Sequence, residues 1–118
     1  MVKSFAMAFS DFDKYQKECK KTAVYPKVGE KFIYPLLGLL GETGEVSEKI
    51  KKLFRDDGGK LTSERKEEIV KELGDVLWYM AQLSTELGIK FSNVASGNLK
   101  KLSLRKTHGT LHGDGDNR

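Results

Sequence analysis

Residues 34–54 read YPLLGLLGETGEVSEKIKKLF, and residues 63–87 read SERKEEIVKELGDVLWYMAQLSTEL. In the first stretch Leu36, Leu39, Thr43, Val46, Ile50 and Leu53 recur every three or four residues, with Leu37, Leu40 and Phe54 widening the row. That is the period of one apolar stripe on an amphipathic helix. Pro35 suits its first turn, where a missing N–H leaves no bond unmade, and the run Asp56-Asp57-Gly58-Gly59 ends it. In the second stretch Ile69, Leu73, Val76, Met80, Leu83 and Leu87 form the stripe. Thr62 or Ser63 caps its start, and Glu64, Glu67 and Glu68 load the end of the helix that favours negative charge. Gly88 follows as a residue that turns left-handed without a Cβ penalty. The spacing therefore predicts two long helices, over 34–54 and 63–87.

On either side the pattern is shorter. Ser10 is the expected N-cap of a first helix over 11–22, with Asp11 and Asp13 at its positive end and Lys20 and Lys21 at its negative end. Phe12 and Tyr15 would face the core. The stretch from Thr22 to Glu30 contains Pro26 and Gly29 and reads as a loop. Ser92 is the expected cap of a fourth helix over 93–106, whose face of Val94, Leu99, Leu102 and Leu104 is thin and is weakened by Gly97. From Thr107 the Gly, His, Asp and Asn residues cannot build a core, so 107–118 reads as an exposed, flexible tail that is free to cover a site. The expectation is an all-α bundle of about four helices, with residues 1–106 as a single domain. So small a chain has one modest core, and oligomerisation would complete it.

Composition narrows the function classes. Charged residues make up 32% and hydrophobic residues 38%, which is globular rather than disordered. The formal charge of +4 favours an anionic partner without naming it. Four basic residues and no acidic one lie between Asn98 and Lys106. Cys19 is the only cysteine, which argues against a disulfide framework or a cysteine-rich zinc site. Met1 to Phe9 lacks the pattern of a signal peptide. No stretch approaches the ~20 apolar residues that span a bilayer. The expectation is a cytoplasmic protein with no membrane partner.

Chemistry enters with the acids. The first long helix carries Glu42-Thr43-Gly44-Glu45 and the second Glu72-Leu73-Gly74-Asp75. Residues three apart share a helix face, and each pair flanks its helix's apolar stripe. If the two helices pack antiparallel, both pairs meet at one cleft. Four carboxylates there repel each other until their pKa values rise or a cation enters. Oxygen-only ligands suit Mg²⁺, with Mn²⁺ as the alternative, and such a metal grips phosphates and activates water. On the same face Glu68 reads as a fifth ligand, a general base or a solvated glutamate. Tyr79 reads as a nucleotide contact or a core-edge aromatic, and Lys49 as a phosphate contact or a partner of Glu45. Glu48 and Trp78 point away, and Trp78 is expected to pack on a neighbouring helix or a second subunit. Gly38, Gly41 and Gly44 share a face and Gly74 lies between the second pair; each costs about 0.5–1 kcal/mol in a helix. Close approach of another helix or of a ligand is the expected compensation.

At this point the chain resembles the MazG-like, all-alpha nucleoside triphosphate pyrophosphohydrolases. Their mark is Glu-x-x-Glu followed by Glu-x-x-Asp, here GETGEV at 41–46 and KELGDVLWYM at 71–80, with 26 residues between Glu45 and Glu72. The resemblance extends to Asn98, Lys101 and Arg105 on the last helix and to the Gly-Thr-Leu and Gly-Asp-Asn-Arg elements at 109–111 and 115–118. It implies that Glu42, Glu45, Glu72 and Asp75 bind Mg²⁺, and that water attacks the α-phosphorus of a nucleoside or deoxynucleoside triphosphate, releasing pyrophosphate. It implies that Tyr79, Asn98 and Lys101 contact substrate, and that the protein is a homodimer or homotetramer. In the dCTP-hydrolysing relatives an aromatic residue follows the first acidic pair, where this chain has Lys51-Lys52. In the mechanism read from the charges, Lys101, Arg105 and Lys49 would stabilise the pyrophosphate. The rival reading is a nucleic-acid-binding or adaptor module, supported by Lys100, Lys101, Arg105 and Lys106 but by no recognisable reading motif. A carboxylate-bridged iron site is weaker, since neither pair has a histidine at helical spacing.

Overall fold

The computed structural model describes residues 11–118. The expected cap Ser10 and the apolar run Met1 to Phe9 lie outside the described residues. Four helices follow one another: α1 (Phe12–Cys19, continued by a 3-10 turn over Lys20–Thr22), α2 (Ile33–Asp56), α3 (Ser63–Glu86) and α4 (Phe91–Thr107). There is no strand among the described residues, and the protein is all-α, as its periodicity predicts. None of the helices is long and apolar enough to cross a membrane.

The scaffold is the α2–α3 hairpin. Each of its helices has 24 residues, or about 36 Å of length. The turn between them holds Gly58 and Gly59 at φ of 62° and 79°, which residues with a Cβ adopt only under strain. The Asp57 and Gly59 amides both donate to the Leu53 carbonyl, closing the end of α2. Thr62 caps α3 through Oγ1, which accepts from the Arg65 amide at 3.2 Å. The helices run antiparallel in a fixed register. Gly38 lies under Tyr79, Glu42 beside Asp75, and Lys49 beside Glu68, so each turn forward on α2 matches one backward on α3.

At the other end α1 packs on both α3 and α4. Cys19, Ala81 and Phe91 form the buried cluster there, with Tyr15 and Trp78 against it. Phe12 meets the Phe91 ring edge-on at 5.3 Å between centroids, yet stays half exposed. The N-caps differ from expectation. Asp11 caps α1, its Oδ1 accepting from the Asp13 and Lys14 amides. Ser92 does not cap α4, which begins at Phe91. Instead α1 supplies the acceptors: Gln16 Oε1 takes the Phe91 amide at 2.9 Å, and Asp13 takes the Ser92 amide at 3.0 Å and its hydroxyl at 2.7 Å. Those bonds hold the Asp13 carboxyl below its ordinary value.

The apolar stripes are only partly covered within one chain. Leu53 is buried, but Leu37, Leu40, Val70 and Leu73 are each at least half exposed. The most buried positions of α3 are Ala81, Gln82 and Ser84 rather than Leu73, Met80 and Leu87. The reason is topological: α1 covers only the last turns of α3, and α4 does not lie along the hairpin.

Candidate active site

The antiparallel register places Glu42 opposite Glu72 and Asp75. One carboxylate oxygen from each of these three residues lies within 4.8 Å of the others. Burial pushes the Glu42 carboxyl up, and the charges of Asp75, Glu72 and Glu45 push it further. The three carboxylates are thus crowded, and a cation between them would relieve their repulsion. Glu45 is exposed one turn along α2 and stands outside the three-residue group. The donors are all hard oxygen, which fits a Mg²⁺- or Mn²⁺-sized ion completed by water.

The neighbours of this cluster differ in kind on its two sides. Toward the start of α2 stands an aromatic wall. Tyr79 lies one turn beyond Asp75, and its hydroxyl is raised by burial and then by the nearby Tyr34, Glu42 and Asp75. A Cβ added to Gly38 would collide with the Tyr79 ring, so glycine there is the seat of this side chain. Tyr25 and Tyr34 stack with centroids 5.3 Å apart, and Trp78 meets Tyr25 and Tyr79 edge-on. Together with Thr22, Val24 and Pro26 these rings line a cavity of about 290 Å³. The Tyr25 hydroxyl accepts from Gln82 Nε2 and donates to Glu86 Oε1, which fixes its ring. Trp78 donates to Thr22 Oγ1 at 3.0 Å, so it packs within its own chain.

Toward the hairpin turn stand cations. Lys49 Nζ approaches Glu68 Oε2 at 3.9 Å, rather than pairing with Glu45. Glu68 also accepts from Arg65 Nη1 at 3.1 Å, so it is tied to two cations. Arg65 is held in turn by Asp57 at 2.7 Å. Glu48 pairs with Lys51, away from the cluster.

The remaining sequence candidates lie on α4. Lys101 Nζ and Arg105 Nη2 both donate to Asp116 Oδ1, at 3.1 and 3.2 Å. Arg105 is buried and also donates to the Gly115 and Asp116 carbonyls. Arg118 gathers the Thr110, Leu111 and Gly115 carbonyls, so residues 110–118 fold back beside the end of α4. Asn98 is exposed on that helix. The interior glycines divide: Gly38 is filled by Tyr79, whereas a Cβ at Gly41, Gly44 or Gly74 would meet nothing within 4 Å. Among the described residues no helix closes on those three.

Tyr25 and Tyr34 escaped the sequence reading because one sat in an apparent loop and the other next to Pro35. The pairing of Glu68 with Lys49 escaped it because only the register brings them together.

Comparison with known proteins agrees with this geometry. Residues 34–110 match the family model of the MazG nucleotide pyrophosphohydrolase domain. The chain is also similar to the Gene 37 protein of Mycobacterium phage L5, at 44% identity over 111 residues, covering 90% of this chain and 97% of the relative. No solved structure matches. The match spans the acidic hairpin, the aromatic wall at Tyr79 and all of α4, and on that ground the chain belongs to the MazG nucleotide pyrophosphohydrolase domain family.

Proposed function

We propose that the protein hydrolyses a nucleoside or deoxynucleoside triphosphate to the monophosphate and pyrophosphate, as a cytoplasmic enzyme of the nucleotide pool. The observation that carries this reading is the convergence of Glu42, Glu72 and Asp75 across the hairpin, beside an aromatic cavity. Glu42, Glu72 and Asp75 would hold Mg²⁺, with Glu45 as the fourth ligand from the next turn. The bound ion would neutralise phosphate charge and lower the pKa of water. The aromatic rings would receive the base, since stacking on a π-face suits any nucleobase. Water adds to the α-phosphorus while the bond to the bridging oxygen breaks. The electron pair of that bond leaves with pyrophosphate, and the water proton passes to solvent or a carboxylate. Contact of phosphate with Lys101 and Arg105 requires Asp116 to give way, because both cations now meet that carboxylate.

Self-association belongs to the same reading. The uncovered faces of α2 and α3, including the open surface at Gly41, Gly44 and Gly74, support a homodimer or homotetramer.

The test is a panel of ribo- and deoxynucleoside triphosphates incubated with Mg²⁺, with released pyrophosphate distinguished from single phosphate by ³¹P NMR. The expected products are the monophosphate and pyrophosphate in equal amounts, lost with a chelator. Asp75→Ala should abolish turnover while the helical circular dichroism stays unchanged. Normal turnover in that variant, or release of single phosphate, contradicts the reading.

A further inference from the structure

The cluster stands between two chemically different stretches of the hairpin. On one side, a turn beyond Asp75, lie Tyr79 and the cavity it shares with Tyr25, Tyr34 and Trp78. On the other, a turn before Glu72, lies Glu68 with Lys49 across from it. One helical turn is about 5.4 Å, within reach of a lysine stem. A ligand with one aromatic end and one polyanionic end therefore has a single favourable direction along this side of the hairpin. Its ring sits against the tyrosines and its terminal phosphates run toward the hairpin turn.

Lys49 is the cation across from Glu68 at that end, and its ion pair is loose. Its side chain is about one-quarter exposed, and its ion-pair contact with Glu68, at 3.9 Å, is long. Glu68 is committed more tightly to Arg65, at 3.1 Å. Arg65 is itself anchored at 2.7 Å to Asp57 in the turn and lies 3.6 Å from Asp56. The chain Asp57–Arg65–Glu68 is thus firm where it joins the turn and loose where it meets Lys49. A carboxylate in that place holds an ammonium in position without neutralising it through a short bond. A metal ligand in the same place would turn toward Glu72, whereas Glu68 is engaged with Arg65 and Lys49.

We propose that Lys49 forms the subsite for the departing pyrophosphate, and that Glu68, anchored by Arg65, is the positioning residue that aims it. This assignment rests on the pyrophosphohydrolase reading and adds to it the direction of the substrate and a role for Glu68 that is neither ligand nor base.

Inhibition by added inorganic pyrophosphate tests it on the full-length protein with Mg²⁺. Lys49→Met keeps the stem and removes the charge. It should weaken pyrophosphate inhibition by on the order of tenfold or more, the scale of one charged hydrogen bond. Glu68→Gln should weaken it by a smaller factor in the wild-type background and have no further effect in the Lys49→Met background. Glu68 acting only through stability would cause the same loss in both backgrounds, which overturns the positioning role. Unchanged pyrophosphate inhibition in folded Lys49→Met overturns the subsite. A wild-type protein that turns over no triphosphate defeats the underlying reading as well, whereas an active wild type with an indifferent Lys49→Met defeats this assignment alone.

Discussion

Asp13 makes its bonds across the molecule. Its carboxylate accepts from the Ser92 amide and hydroxyl, giving α4 an N-terminal acceptor that its own sequence does not provide. Because these bonds favour the ionised form, the folded carboxyl titrates below its ordinary value of 3.8. The stability it contributes is therefore fully present above 3.8 and is lost as pH falls through the lower folded value. Asp13→Ala should lower the melting temperature at pH 7, and the difference from wild type should shrink as the pH is taken below 3.8. A gap that persists undiminished in strong acid contradicts the role. The sequence marked Asp13 only as a charge suited to the start of α1; its partner is 79 residues away, beyond any local pattern.

At the scale of elements, the hairpin was legible and its contacts were not. The apolar period of 34–54 and 63–87 predicts both long helices to within two residues, because a three-to-four-residue stripe over five or more turns has no other reading. Glu42, Glu72 and Asp75 fell on facing sides for the same reason, with Glu45 outside their group. Register, however, depends on how the turn at Gly58 and Gly59 closes, and it decides that Glu68 meets Lys49 and that Tyr79 sits over Gly38. The glycine row was read as a sign of close approach. That holds at Gly38, where the approach comes from a ring on α3. Gly38→Ala should destabilise the protein by about 1–3 kcal/mol through overpacking. In a Tyr79→Ala background the same substitution should instead be neutral or stabilising by up to ~1 kcal/mol, as expected of alanine in a helix. Denaturant midpoints of the wild type, the two single variants and the double variant measure this, and an equal cost in both backgrounds contradicts overpacking by the ring.

For the whole molecule, the four-helix order and the weak α4 were readable in the sequence, while the extent of burial was not. A single chain leaves Leu40 and Phe54 at 64% and 71% exposure, more apolar surface than a helix pair holds open without a partner. Hydrophobic periodicity states that a face is apolar, not whether the same chain or a second copy covers it. Light scattering should give a mass that is a multiple of 13.3 kDa, and Leu40→Glu should reduce it toward a single chain. A wild-type protein that is monomeric at high concentration contradicts the proposed assembly. The segment 107–118 was likewise read from composition as an exposed tail. Its residues are mostly exposed, but Arg105 and Arg118 bind its carbonyls, a use of two arginines that composition cannot reveal.

On the proposed function, α2 and α3 together would make one divalent-metal site. Crystals grown with Mn²⁺ and measured at a wavelength where manganese scatters anomalously address it directly. One or more anomalous peaks bounded by the carboxylates of Glu42, Glu72 and Asp75, with Glu45 drawn in, are expected, as is their loss in Glu72→Gln. Manganese absent from that cluster in the wild type, or bound equally well without Glu72, would contradict it.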